Sequence, residues 1–296
     1  MRKYLLLLPL LPLLAACAGS RREASLTSEP SIERAFDLLA STREGKPRLK
    51  FLRKRPARFE YSNTPGMCHK FSLKAGKIFL PVEYKASDKV LALAVARAAY
   101  IYELYAYTGL EEIISEEEEL SALLQARLAV ELGVSEEDFA KVRGAQPIKT
   151  SFCSYILGGT KYAMEQARKQ ALSYDSDCQR PLDTVENQRV WLEKIRQSIN
   201  DETFYQLLAD RDLLRVKRGA MTMSDAMKND ARLRGLPAYE VYRYQRTFYD
   251  RQSDIVDRME KVKAAQLRED ASWRAARQPQ LDQVREEFSD CELPVD

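Results

Sequence analysis

Two neighbouring stretches decide the fold class: Asp88-Lys-Val-Leu-Ala-Leu-Ala-Val-Ala-Arg-Ala-Ala-Tyr-Ile-Tyr-Glu-Leu-Tyr-Ala-Tyr-Thr-Gly109 and Ser115-Glu-Glu-Glu-Glu-Leu-Ser-Ala-Leu-Leu-Gln-Ala-Arg-Leu-Ala-Val-Glu-Leu-Gly133. The first is apolar on nearly every side, which suits a buried helix rather than a surface one. It predicts a helix from Asp88 to about Tyr107, stopped by Gly109. The second opens on Ser115 with Glu118 three residues on, the pattern of a capping box. It gathers acid at the positive helix end and stops at Gly133. A body organised around two such helices is mostly α.

Upstream the pattern changes. Leu49-Lys-Phe-Leu52, Arg58-Phe-Glu-Tyr61, Met67-Cys-His-Lys-Phe-Ser-Leu73 and Lys77-Ile-Phe-Leu80 are short β-prone runs. Pro56, Asn63-Thr-Pro-Gly66 and Ala75-Gly76 separate them as turns. They predict a small antiparallel sheet of three or four strands over about residues 48–81. Before it, Ser31 opens a helix to about Thr42 with Ile32, Ala35, Phe36 and Leu39 on one face. After Gly133 helices continue, starting at Ser135, Thr160, Thr184, Asp201 and Ser224. The last runs from about Ala238 to Arg277, stopped by Pro279. Its Ile255, Met259, Val262, Gln266 and Trp273 form a seam suited to packing on the body. The fold class is α+β, mostly α: a small antiparallel sheet near the N-terminus, then a multi-helix body ending in a long helix. Residues 31–296 read as one domain.

The chain has 296 residues, 45% hydrophobic and 31% charged, with a single His. That composition excludes disordered, fibrous and membrane-spanning classes, and the length buries a substantial core. One imidazole, His69, cannot build a two- or three-His zinc site. No C-x-x-C pair occurs for a Cys₄ site, so neither metal nor cofactor is expected. Cys68 and His69 are adjacent and point to opposite faces of a strand, which rules out a thiolate–imidazolium pair. Neither S-x-x-K nor G-x-S-x-G is present.

The N-terminus reads Met1-Arg-Lys3, an apolar run from Leu5 to Leu14, then small residues: a secretory signal too short to span a bilayer. Leu14-Ala-Ala-Cys17 resembles the lipobox of bacterial lipoproteins. The resemblance implies a signal peptide at residues 1–16, lipidation of Cys17 and a lipidated tether over 17–30. Two or three acyl chains hold a protein on the membrane stably. Ala18, where an Asp would favour the inner membrane, points to the outer membrane. The expected location is therefore the bacterial cell envelope, with the membrane as one partner and an envelope protein or glycan as another. Removing the signal takes Arg2 and Lys3 and leaves the charge near neutral, so no nucleic-acid partner is expected. In an oxidising compartment Cys68, Cys153, Cys178 and Cys291 should form two disulfides, in any of three connectivities. Cys153–Cys178 would be the local bridge, and Cys68–Cys291 would then tie the sheet to the C-terminus.

Two local compositions stand out. Tyr100, Tyr102, Tyr105 and Tyr107 crowd the apolar helix. At 100° per residue Tyr100 and Tyr107 share one face, while Tyr102 and Tyr105 lie together on another. A second group is Tyr239, Tyr242, Tyr244 and Tyr249. The segment from Arg43 to Arg58 carries eight basic residues (Arg43, Lys46, Arg48, Lys50, Arg53, Lys54, Arg55, Arg58) against one acid. It follows the tether after one helix, so it is a candidate anionic-surface patch, or an edge strand protected by charge.

The strand Lys77-Ile-Phe-Leu-Pro81, the helix Leu91–Tyr100 and the acidic helix Glu116–Arg127 are similar in order to the minimal core of zincin metallopeptidases. That family places H-E-x-x-H on the first helix and a Glu ligand on the second. Here Ala94-Val-Ala-Arg97-Ala-Ala-Tyr100 stands in its place, with neither imidazole nor carboxylate, so the resemblance implies a non-catalytic relative. The expected function is a non-catalytic envelope lipoprotein that binds or scaffolds. The alternative is an envelope hydrolase acting on peptidoglycan or peptides through paired carboxylates.

Overall fold

The computed structural model describes residues 26–62, 70–72, 76–109, 115–178, 184–199, 210–222, 225–226, 228 and 237–292. The Ser87 hydroxyl accepts the Val90 N–H and Gly109 adopts a left-handed φ of 79°, so the apolar run forms helix Asp88–Thr108. The acidic run forms helix Ser115–Leu132. In chain order the helices are α1 (Pro30–Ser41), α2 (Gly45–Lys54), α3 (Asp88–Thr108), α4 (Ser115–Leu132), α5 (Glu136–Ala140) and α6 (Gln146–Cys178). They continue as α7 (Val185–Ser198), α8 (Asp210–Lys217), α9 (Pro237–Ala276) and α10 (Gln278–Glu287). By length and composition α3 is apolar enough to cross a membrane. In this fold it is instead covered by α1, α2, α4 and α9. On the other side of α4 lies α6.

The sheet differs from expectation. Its strands are β1 (Arg58–Ser62), β2 (Lys70–Ser72) and β3 (Lys77–Pro81), in the order β1-β3-β2. β1 runs parallel to β3, with Arg58 opposite Lys77, and β2 runs antiparallel to β3. The chain reverses between β1 and β2 and again before β3, so the first and third strands point the same way. β3 occupies the centre and pairs with both. Phe59, Ile78 and Leu80 face the core, while Glu60 pairs with Lys77 and Arg58 on the outer face.

The run Leu49–Leu52, expected as a strand, lies in α2. Leu49 and Leu52 are buried together at helical spacing, and that burial overrides the two-residue alternation of Leu49 and Phe51. Gly45 makes the helix possible. A Cβ there would meet the Leu39 carbonyl oxygen at 2.4 Å. The Thr42 hydroxyl accepts the Gly45 N–H and donates to the Leu39 carbonyl, locking the α1–α2 turn.

Two further boundaries differ. Residues 26–29, expected within the tether, are docked on β1, where the Leu26 carbonyl accepts the Phe59 N–H and the Thr27 hydroxyl donates to the Phe59 carbonyl. Pro279 does not end the helical region: it sits in the first turn of α10, where its missing N–H costs nothing. A capping box is formed by Ser135 and Asp138 at the start of α5, and the Ser115 hydroxyl donates to Glu116.

The core is one continuous cluster running through α1 to α7, α9, α10 and strands β1 and β3, with a small satellite around Ile199, Ala226 and Tyr242. The expected α9 seam is real: Ile255, Met259 and Trp273 are buried and Val262 packs on the cluster. α6 bends at Gly159, whose φ of 79° a side chain would resist.

Cys153 of α6 is bonded to Cys291 beyond α10, with their Cα atoms 5.6 Å apart. This replaces both the local Cys153–Cys178 bridge and its complement Cys68–Cys291. Cys153 is buried on α6 where α10 packs, and Cys291 follows α10 directly, so the bridge joins neighbours in space rather than in sequence. Cys17, Cys68 and His69 lie outside the described residues.

Candidate functional site

Three helices each contribute a row of side chains to one cleft of about 380 Å³. On α2 the row is Arg48, Phe51 and Arg55, and on α3 it is Tyr100, Glu103, Leu104 and Tyr107, with Ala106 joining off the row beside Arg55. On α9 it is Val262, Ala265 and Gln266. Each row follows three- and four-residue spacing, so the cleft results from three helices presenting one stripe apiece. The face shared by Tyr100 and Tyr107, read from the 100° rule, lines it. The other two tyrosines of the run meet different partners. Tyr102 packs edge-on against Phe51 at 5.3 Å, and the Tyr105 hydroxyl donates to Glu117 of α4. In the second group Tyr242 is buried and Tyr244 is exposed and stacked on Phe248, while Tyr249 lies partly buried; the Tyr239 side chain is outside the described set.

At the inner end of the cleft Arg48 Nε lies 2.8 Å from Glu103, and its guanidinium sits 5.0 Å from the Tyr100 ring centre. Burial holds the Glu103 carboxyl above the usual range, with Arg48 opposing the shift. Tyr100 is 3% exposed and its hydroxyl has no hydrogen-bond partner. Burial pushes that hydroxyl further from ionisation, so it stays a neutral donor. At the outer end Arg55 is exposed, and its guanidinium reaches the Ala106 carbonyl at 3.5 Å. It has no carboxylate partner among the described residues.

Behind Gln266 lies a buried ionic cluster that the sequence did not reveal. Arg127 of α4, 1% exposed, donates to Glu44 and to Gln266 at 3.0 Å each and lies 3.7 Å from Asp270. Asp270, fully buried on α9, accepts the hydroxyls of Tyr155 and Thr160. The Glu44 N–H donates to Glu131, which also takes Trp273 Nε1 and Arg277. The one hint in sequence was a charge inside an apolar run, Leu124-Gln-Ala-Arg127-Leu-Ala-Val130.

The basic segment is divided by α2. Arg48 and Arg55 turn to the cleft, and Arg58 pairs with Glu60. Lys46, Lys50, Arg53 and Lys54 occupy the opposite flank of the helix, exposed, with Arg43 just before it. None of these five meets a carboxylate among the described residues.

At the positions where the zincin-like order asks for metal ligands, Arg97 of α3 forms an ion pair with Glu118 of α4. The other acids of α4 are also engaged: Glu116 and Glu119 pair with Lys263, and Glu119 also pairs with Arg168. Among the described residues no group of three or more His, Cys, Asp and Glu is placed to hold a metal ion. No family model, no curated protein and no solved structure matches this chain.

Proposed function

We propose that the chain is a non-catalytic binding or scaffolding lipoprotein of the bacterial cell envelope, anchored at Cys17 and laid on an anionic membrane surface by the outer flank of α2. The carrying observation is the flank itself: Lys46, Lys50, Arg53 and Lys54 exposed in one row, next to Arg43. Elsewhere the surface is laced with ion pairs, such as Arg34–Asp88 and Arg189 with Asp257 and Glu260. The nine residues from Cys17 to Leu26 span at most about 30 Å, which keeps this end of the domain near the lipid. Each cation near an anionic leaflet contributes about 1 kcal/mol. The hydrolase alternative needs two carboxylates facing each other in a cleft. Here the cleft presents Glu103 alone among the described residues, already held by Arg48. The Arg97–Glu118 pair, standing where the zincin resemblance wants a metal, favours the non-catalytic reading.

Vesicle co-sedimentation at low salt tests this. A Cys17→Ser chain should bind vesicles containing phosphatidylglycerol and ignore pure phosphatidylcholine. Reversing Lys46, Lys50 and Lys54 to Glu should weaken binding by about a hundredfold or more. A wild-type flank that ignores anionic vesicles removes the proposal.

A further inference from the structure

We infer that the cleft between α2, α3 and α9 binds a hydrophobic monoanion: a compact apolar body with one carboxylate at its outer end and a polar group at its inner end. The inference is independent of membrane docking, because the cleft row of α2 lies on the flank away from the exposed cations.

Three observations define the ligand. The first is size. At about 380 Å³ the cleft lies near the lower end of the range for small-ligand sites, roughly 300–1000 Å³. From Tyr100 to Tyr107 it follows α3 for about 10 Å, the length of a medium alkyl chain or a small fused ring.

The second is charge. Arg48 and Glu103 neutralise each other at the inner end, so Arg55 is the unmatched charge of the lining. A guanidinium at the mouth of an apolar slot selects a carboxylate and repels a cation. Between the two ends the walls are Phe51, Leu104 and Val262, with no charge to satisfy. Tyr107, a large ring left 55% exposed beside Arg55, gives the mouth an apolar lip.

The third is the Tyr100 hydroxyl, a buried donor without a partner on the wall of the cleft. Unpaired buried polar groups are rare because each carries its full desolvation cost. Glu103, an acceptor, lines the same end. A ligand hydroxyl there would accept from Tyr100 and donate to Glu103.

The test uses the Cys17→Ser chain without lipid and three ligands sharing one alkyl chain, followed by titration calorimetry. Decanoate should bind, decanol should bind about tenfold more weakly, and decyltrimethylammonium should not bind. Arg55→Glu, at an exposed position, should erase the preference for decanoate over decanol. ω-Hydroxydecanoate should bind several-fold more tightly than decanoate in wild type and equally in Tyr100→Phe. Ala265→Trp, which fills the cleft from its exposed α9 side, should abolish binding, while Trp191→Ala, on the separate Trp191–Phe248 ring pair, should change nothing. Decanol matching decanoate, a preference that survives Arg55→Glu, or binding that survives Ala265→Trp would each overturn the assignment. A hydroxyl advantage that persists in Tyr100→Phe would overturn the placement of the inner end.

Discussion

Replacing Arg127 by Met is expected to cost the fold about 3–5 kcal/mol, read as a lower urea midpoint with an unchanged slope. Met fills much of the same space, so the loss is electrostatic. It leaves Glu44, 5% exposed, and Asp270, fully buried, without their shared cation. Asp270 keeps the Tyr155 and Thr160 hydroxyls, so Glu44 carries most of the penalty. Adding Glu44→Gln to Arg127→Met should therefore recover part of the loss, with strong non-additivity between the two sites.

The pH dependence of this variant has a definite sign. Burial raises the Glu44 carboxyl above its ordinary value of 4.5, and Arg127 opposes that shift. The folded state therefore holds the proton more tightly than the unfolded state. The associated stability is present below the unfolded pKa and is lost as pH rises through the folded one. Without Arg127 the folded pKa climbs further, so the penalty of Arg127→Met should be smaller near about pH 4 than at neutrality. Parallel denaturation curves at the two pH values measure it, and an equal penalty at both would show that Glu44 is not the group left unpaired.

Removing the Cys153–Cys291 bridge is the second large effect. The bonded residues are 138 apart in sequence. Closing so long a loop restricts the unfolded chain by about 5 kcal/mol in the chain-entropy account, and native bridges typically prove worth about 2–5 kcal/mol. The Cys153→Ala/Cys291→Ala variant should lose that much in unfolding experiments. The damage should concentrate at α10, because Phe288 packs edge-on against Phe152 at 5.0 Å and Phe139 at 6.2 Å just before Cys291. Hydrogen exchange over 278–292 should rise before that of α3 and α4. In a Cys17→Ser background, if the remaining Cys68 and Cys178 are joined, thiol labelling of this variant, unfolded but unreduced, finds no reactive sulfur. Two reactive thiols would mean that this chain has one bridge.

The cleft was half legible in the sequence. The shared face of Tyr100 and Tyr107 followed from helical geometry, and the concentration of Arg and Lys over 43–58 was plain. What could not be read was the partition of that segment. Arg48 and Arg55 enter the cleft only because Leu49 and Leu52, two adjacent steps around α2, anchor the helix between the cleft and the cation row. As a strand, the same residues would have alternated across a sheet and formed neither flank. The third wall was invisible, because Val262, Ala265 and Gln266 lie more than 150 residues downstream of the end of α3.

Sequence alone determined the elements whose limits are local. α3 begins at Ser87 and ends at Gly109 because a hydroxyl satisfies a free N–H and a glycine accepts a left-handed φ, both within a turn of the helix end. The long α9 and its apolar seam follow from periodicity in the same way. The tertiary structure decided everything that depends on which distant surface is available. It made residues 49–52 helical, set β1 parallel to β3, joined Cys153 to Cys291 rather than to a cysteine nearer in the chain, and buried Arg127 between Glu44 and Asp270. Each of these outcomes is set by burial shared between segments far apart in sequence, and that energy exists only once the helices have come together.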